Sequence, residues 1–309
     1  MSYIAIDLGG SHAACALVDG STIIAKQNFE ISDNKSLRGL LPRVEDSVRD
    51  LLHQSNDHCN GIAFSFCGIV DAVQGRIIQT NGRYYDAPLM DLREWATSRF
   101  ALPLRIENDA RTALLGEWVA GAARGFDDVV MIVLGSGVGG AAMIGGRLLR
   151  GKHGQAGCLL GHFSCELAGR LCSCGNVGCV EAEASSSVID GICRQHPQYE
   201  GSALVDLQHV RFKDVFAYAD AGDECARSIR ERSLRVWAAA AVSWIHAYDP
   251  EVIVFGGGVM SAAEDILPAI TEYVDRHAWT PWGKVTLRNA ALGNEASLFA
   301  GPALFNGHP

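Results

Sequence analysis

Three groups of residues in this chain have the types and spacing for chemistry. Asp109 lies in Leu104-Arg105-Ile106-Glu107-Asn108-Asp109-Ala110, where an apolar strand runs into a helix. A carboxylate presented at such a junction is a candidate general base. His162, Cys172, Cys174 and Cys179 offer an imidazole and three thiols at metal-ligand spacing, and Gly175 and Gly178 allow the tight loop that gathers three sulfurs. A Cys3His set suits tetrahedral zinc in a closed structural site. Glycine turns close apolar strands at Asp7-Leu8-Gly9-Gly10-Ser11, at Leu134-Gly135-Ser136-Gly137-Val138-Gly139-Gly140 and at Gly256-Gly257-Gly258. Glycines let backbone amides approach phosphate oxygens, and Asp7 is placed to hold Mg2+ through water. A positioned base, phosphate-gripping turns and a metal-braced loop read together as phosphoryl transfer to a small polyol.

The elements that must position these groups repeat. Tyr3–Leu8, Ala13–Val18 and Thr22–Lys26 are apolar runs separated by Gly-Gly and Asp-Gly turns, a meander by turn chemistry. Apolar residues at helical spacing follow over Leu37–Leu52, then a strand at Gly61–Phe66, a helix at Leu92–Phe100, a strand at Leu104–Ile106 and a helix at Ala110–Val119, with Asn108 or Asp109 as its cap. The second half starts again with strand, glycine turn and strand: Val129–Leu134, Ala141–Ile144 and Arg147–Leu149. Helices are expected at Ser185–Arg194, Glu224–Ala247 and Glu264–Arg276, with the strand Val252–Phe255 between the last two. Two copies of one strand-rich α/β unit with a cleft between them is the architecture this pattern predicts.

Two nucleotide motifs fail on context. Gly135–Gly140 satisfies G-x-G-x-x-G, but the hairpin-like Ala141–Gly146 follows where a helix is required, and no acidic residue stands near Gln155 for a ribose. Gly146–His153 is one residue from a P-loop, with His153 in place of the Ser/Thr that would hold magnesium.

Composition excludes other classes. A net charge of −9 argues against a nucleic-acid surface. There is no long uncharged apolar span, and the N-terminus enters a strand without a signal-peptide pattern. Ten cysteines in 309 residues, three of them within Cys172–Cys179, fit a reducing cytoplasm better than a disulfide scaffold. Cys158 and Cys165 are near enough in sequence to substitute as ligands, whereas Cys15, Cys59, Cys67, Cys193 and Cys225 read as small core residues.

These residues resemble the ROK group of sugar kinases and repressors, within the actin-like/hexokinase-like ATPase fold. The resemblance spans essentially the whole chain: Asp7–His12, Glu107–Ala110, Leu134–Gly140, Gly161-His162, Cys172–Glu181 and Asp249–Gly258. The cysteine segment is its most specific part. It implies an N-terminal lobe over residues 1–118, a C-terminal lobe over 119–292 with a zinc-binding loop at 153–184, and a last helix, about Glu295–Phe305 within residues 293–309, returning to the first lobe. It implies ATP in the cleft, a sugar as partner and a homodimer. Asp109 would take the proton of the attacking hydroxyl, Asn108 and Glu181 would bind other hydroxyls, and His162 would touch both zinc and sugar. Gly256-Gly257-Gly258 would line the adenine.

The chain also departs from the family. Many members read Ala-Gly-Glu-x-Gly-His before the zinc histidine, where this chain has Ala156-Gly157-Cys158-Leu159-Leu160-Gly161-His162. Losing that acid removes a charge-assisted hydrogen bond worth about 1.5–3 kcal/mol, and leaves the sugar open. The loop Asn81–Asp86 is a candidate replacement contact. The usual Pro-Gly after Gly61–Phe66 is Cys67-Gly68. The competing expectation is a catalytically weak or inactive sugar-binding sensor. A DNA-binding regulator is disfavoured by the negative charge and by the six residues ahead of Asp7.

Overall fold

The computed structural model describes residues 1–9, 12–31, 36–55, 59–80 and 82–306. In chain order its first elements are β1 (Ser2–Leu8), β2 (His12–Asp19), β3 (Thr22–Glu30), α1 (Leu37–His53), β4 (Cys59–Phe66), β5 (Gly68–Asp71), β6 (Arg76–Thr80), α2 (Leu92–Phe100), β7 (Leu104–Asn108) and α3 (Asp109–Ala120). Then come β8 (Val129–Leu134), β9 (Val138–Ile144), β10 (Arg147–Leu148), α4 (Val180–Ala184), α5 (Ile189–Arg194), α6 (Phe212–Asp220) and α7 (Glu224–Tyr248). The last are β11 (Val252–Gly256), α8 (Ala263–His277), β12 (Thr286–Asn289) and α9 (Gly301–Phe305). Two compact units result: Met1–Asp127 with Gly145–Ala156 and Ala291–Pro309, and Asp128–Ile144 with Gly157–Ala290.

In the first unit the sheet order is β3-β2-β1-β4-β7. β1, β2 and β3 form an antiparallel meander, and β4 and β7 run parallel to β1. The central strands are apolar on both faces because both faces are covered. Ile4, Ile6, Ile62 and Phe64 pack with Leu37, Leu40, Leu41, Val44, Val48 and Leu51 of α1, while Ala5, Ala16 and Val18 meet Leu298 and Phe299. The second unit repeats the plan: β9 is antiparallel to β8, and β11 and β12 run parallel to it. Its long helix α7 buries Trp237 and Trp244 completely. Among the described residues no helix is long and apolar enough to cross a membrane.

Several elements differ from expectation. The helix expected over Ser185–Arg194 starts only at Ile189, as α5, because the amides of Ser186 and Ser187 donate to the carbonyls of Gly135 (2.9 Å) and Ser136 (3.1 Å), and the short α4 ahead of it is an additional element. The last helix is a 3-10 helix over Gly293–Ala300, and only Gly301–Phe305 is α-helical. It crosses α3 at Gly116, where any side chain would strike the backbone of Ala296. The β5–β6 hairpin, α6 and β12 are additional. The glycine turn is shorter than its motif, since β9 starts at Val138 and pairs back to Leu134.

Candidate functional site

Asp7, Cys67 and Asp109 come from the carboxyl ends of the adjacent parallel strands β1, β4 and β7, where open α/β sheets bind ligands. The register sets Asp7 beside Ser65 and Ser65 beside Glu107. Thr112 donates its hydroxyl to Ser65 at 2.8 Å, and Ser65 in turn hydrogen-bonds Asp7. Asn108 is the cap of α3: its Oδ1 accepts from the amides of Ala110 (3.1 Å) and Arg111 (3.3 Å). Its Nδ2 donates to Gly68 O (3.1 Å) and to Oδ1 of Asp109 (2.8 Å). Asp109 Oδ1 also accepts from the Ala110 amide at 2.8 Å, which leaves Oδ2 without a partner among the described residues.

Burial governs the charges here. It pushes Asp7 up to about 6, aided by the nearby negative charge of Asp109 and opposed by the Ser65 hydrogen bond. Asp109 is raised as well, by burial, against the pull of the Ala110 amide and Asn108. Cys67 was expected in the core but is only half-buried. Burial and the charges of Asp109 and Asp7 push its thiol up to about 12, with Arg83 opposing. Two carboxylates that feel one another's charge are a donor pair that a divalent cation suits.

The framework behind Asp109 rests on residues that their own neighbourhood in sequence does not reveal. Glu107 and Arg111 are fully buried. Arg111 donates to the carbonyls of Leu149 (2.8 Å), Gly154 (2.8 Å) and Ala156 (2.7 Å), and Glu107 accepts from Arg150. The segment Gly145–Ala156 is thereby fixed to the helix that begins at Asp109. Farther along α3, buried Glu117 accepts from the amides of Ala122, Ala291 and Leu292. In the candidate sugar-contact loop, Asp86 instead binds Ser36 Oγ and the amides of Leu37 and Arg38 at the start of α1. Tyr84, buried at a φ of 53°, donates its hydroxyl to Gly9 O at 2.8 Å. Neither is free for a ligand. Gly10, Ser11 and Asn81 lie outside the described residues.

In the second unit the turn Gly135-Ser136-Gly137 leaves the carboxyl end of β8, closed by the Gly135 amide on Gly137 O at 2.9 Å. Gly256 and Gly257 leave the parallel end of β11 beside it. Gly257 has a φ of 92°, and a side chain there would strike the backbone of Leu134. Gly258 opens the 3-10 turn that follows. Glu181, in the first turn of α4, accepts the Val138 amide through Oε2 at 2.9 Å, so it is bound to the glycine turn.

His162, Cys172, Cys174 and Cys179 converge, with all four donor atoms within 4.8 Å of one another. His162 Nδ1 lies 3.6 Å from Cys172 Sγ, and Cys174 Sγ lies 3.7 Å from Cys179 Sγ. A tetrahedral zinc with Zn–S of about 2.3 Å and Zn–N of about 2.0 Å sets S–N near 3.5 Å and S–S near 3.8 Å. The donor set fits. Cys158 and Cys165 are not in it; Cys165 donates to Gly178 O at 3.4 Å. Behind the loop, buried Glu183 accepts from the Arg170 amide and from Arg232. Burial alone would raise its pKa, but those partners hold it below the ordinary range.

The sequence profile of the ROK family matches residues 3–307. A glucokinase of Halalkalibacterium halodurans is 32% identical over 315 residues, covering 97% of this chain and 93% of its own. An N-acetylmannosamine kinase of Escherichia coli is 30% identical over 282 residues, 89% of this chain and 88% of its own. Among solved structures, a ROK family glucokinase from Streptomyces griseus in complex with glucose and AMPPNP superposes with a TM-score of 0.80 at 26% identity, over 99% of this chain and 100% of that one.

Proposed function

This chain belongs to the ROK family, and from that premise we propose that it is an ATP-dependent sugar kinase with Asp109 as general base and a hexose or amino sugar as acceptor. The observation that carries this reading is the asymmetry of Asp109. One oxygen is fixed by Asn108 and Ala110, and the other has no partner among the described residues. A hydroxyl reaching Oδ2 meets a positioned base whose proton affinity burial has raised. As the hydroxyl oxygen bonds to the γ-phosphorus, its proton passes to Asp109, the bond to the β,γ-bridging oxygen breaks, and ADP leaves. Little other covalent chemistry is required of the protein.

Around that step the remaining residues bind and orient. Asp7 would hold Mg2+ through water; when bound, the ion neutralises charge on the phosphates. Gly9, Gly10 and Ser11, and likewise Gly135, Ser136 and Gly137, would offer backbone amides to phosphate oxygens, and Gly256, Gly257 and Gly258 would line the adenine. Glu181 Oε1 and the second ring nitrogen of His162 suit sugar hydroxyls. Asn108, its amide already committed four ways, serves the sugar through the placement of Asp109. His162, Cys172, Cys174 and Cys179 hold structural zinc. The same reading makes the protein a cytoplasmic homodimer, which light scattering at twice the chain mass would support.

The test is ADP release from Mg-ATP across a panel of hexoses, amino sugars and ketoses. Sugar-dependent turnover is expected for at least one of them. Tight nucleotide binding with no turnover on any sugar would overturn the kinase in favour of the sensor.

A further inference from the structure

Two metal-donor residues stand close in sequence to residues that grip the backbone of Val138 from its two sides, at its amide and at its carbonyl. Cys179 is the cap of α4; two residues later, Glu181 takes the amide hydrogen of Val138. His162 ends the 3-10 turn Leu160–His162; one residue earlier, Gly161 lies so close to the Val138 carbonyl that a side chain there would strike it. Gly140 is packed the same way against the Leu160 side chain. The carboxylate of Glu181 also occupies the space where a side chain at Gly137 would go. Beyond α4, the amides of Ser186 and Ser187 bind the carbonyls of Gly135 and Ser136. The turn Gly135-Ser136-Gly137 and the first residue of β9 are therefore held at their carbonyls, at an amide and by close packing. The groups that hold them flank His162 and follow Cys179.

We propose that the Cys3His cluster is the clamp that sets the shape of the Gly135–Val138 turn, with α4 and the Leu160–His162 turn as its two arms. Metal occupancy thereby governs nucleotide binding. The inference rests on the reading that this turn receives phosphate oxygens, and it adds what that reading lacks: a reason for a structural metal to be tied to the phosphate turn. The physical basis is preorganisation. A turn of two glycines and a serine has a large conformational entropy of its own, and its amides converge on an anion only if the surroundings fix them. With the cluster assembled, Glu181 and Gly161 are pinned two residues and one residue, respectively, from metal ligands. Without it, the ordering of 135–138 must be supplied by the nucleotide itself.

The test uses the full chain with zinc bound, the chain stripped by chelator, and zinc-loaded Glu181→Gln. AMPPNP affinity is measured by calorimetry, metal content by elemental analysis, and amide hydrogen exchange in peptides covering 129–144. Stripping should weaken AMPPNP at least about tenfold and deprotect the peptides containing 135–138, while those of β1–β4 keep their protection. Glu181→Gln should retain its zinc yet lose several-fold in AMPPNP affinity, since a neutral amide accepts the Val138 hydrogen more weakly. This arm stands even where stripping unfolds the chain. Unchanged affinity and exchange in both forms would overturn the clamp and leave the kinase reading intact. Failure of the zinc-loaded chain to bind AMPPNP at all would overturn both.

Discussion

Asn108 donates to Asp109 across 2.8 Å while its own carbonyl oxygen caps the helix on which Asp109 stands. The two neighbours thereby divide two tasks that a single residue would have to combine. Asn108 satisfies the orphan amides of the helix N-terminus, so Asp109 is relieved of capping through its outer oxygen and keeps Oδ2 for a ligand. Burial raises the pKa of Asp109 and of Asp7 alike, and the charge of Asp109 adds to the shift at Asp7.

The cost of that arrangement is measurable at Asp7. Its pKa lies near 6 in the folded chain against an ordinary 3.8. A raised carboxylate favours the folded state when protonated, so the stability it contributes is full below pH 3.8 and is lost as pH rises through 6. Asp7→Asn should therefore stabilise the metal-free, nucleotide-free protein by about 1–3 kcal/mol at pH 7.5. The gain should shrink toward zero near pH 4. Urea titrations at both pH values check this; an equal effect at both, or destabilisation at pH 7.5, would refute it.

Arg111 is a structural anchor for the segment that carries Leu149, Gly154 and Ala156. Arg111→Met leaves three carbonyls short of a donor and removes the guanidinium that lies 3.6 Å from the Glu107 carboxylate, and should cost about 3–5 kcal/mol. Arg124→Met, at an exposed position, is the control and should cost under about 0.5 kcal/mol. Similar losses for the two variants in denaturant titrations would remove Arg111 from this role.

How much of this was legible beforehand followed the range of each interaction. β1, β2, β4 and β8 announce themselves through unbroken apolar runs, because both faces of the sheet are covered. The metal donors declare themselves because Cys172, Cys174 and Cys179 lie within eight residues and must share one loop. What was illegible depended on distant partners. Nothing near Arg111 says that its guanidinium reaches carbonyls 38 to 45 residues away. Nothing near Tyr84 points to Gly9, 75 residues before it. The break after α4 is decided by the carbonyls of Gly135 and Ser136, which no local pattern contains. β12 is short and mostly exposed, so it lacks the apolar alternation that marks a strand. By contrast α6 was readable: Phe212, Val215, Phe216 and Ala219 have helical spacing and are buried together.

The composition of the metal set separates two groups of cysteines that sequence proximity left mixed. Cys174→Ser should lower bound zinc well below one ion per chain and reduce thermal stability with it. Cys158→Ala and Cys165→Ala should leave zinc stoichiometry unchanged. Elemental analysis of the three purified variants decides; loss of zinc in Cys158→Ala together with retention in Cys174→Ser would reassign the ligands.

The central claim is that Asp109 removes the proton from the acceptor hydroxyl. Asp109→Asn keeps an oxygen for the Asn108 and Ala110 donors, so the fold should survive. The most direct measurement is steady-state ADP release by Asp109→Asn with saturating Mg-ATP and the best sugar of the panel, alongside AMPPNP affinity. The kcat should fall at least about a hundredfold below that of the unmodified chain, in line with the loss of a general base, with AMPPNP binding within about threefold. A kcat within about threefold of the unmodified chain would contradict it.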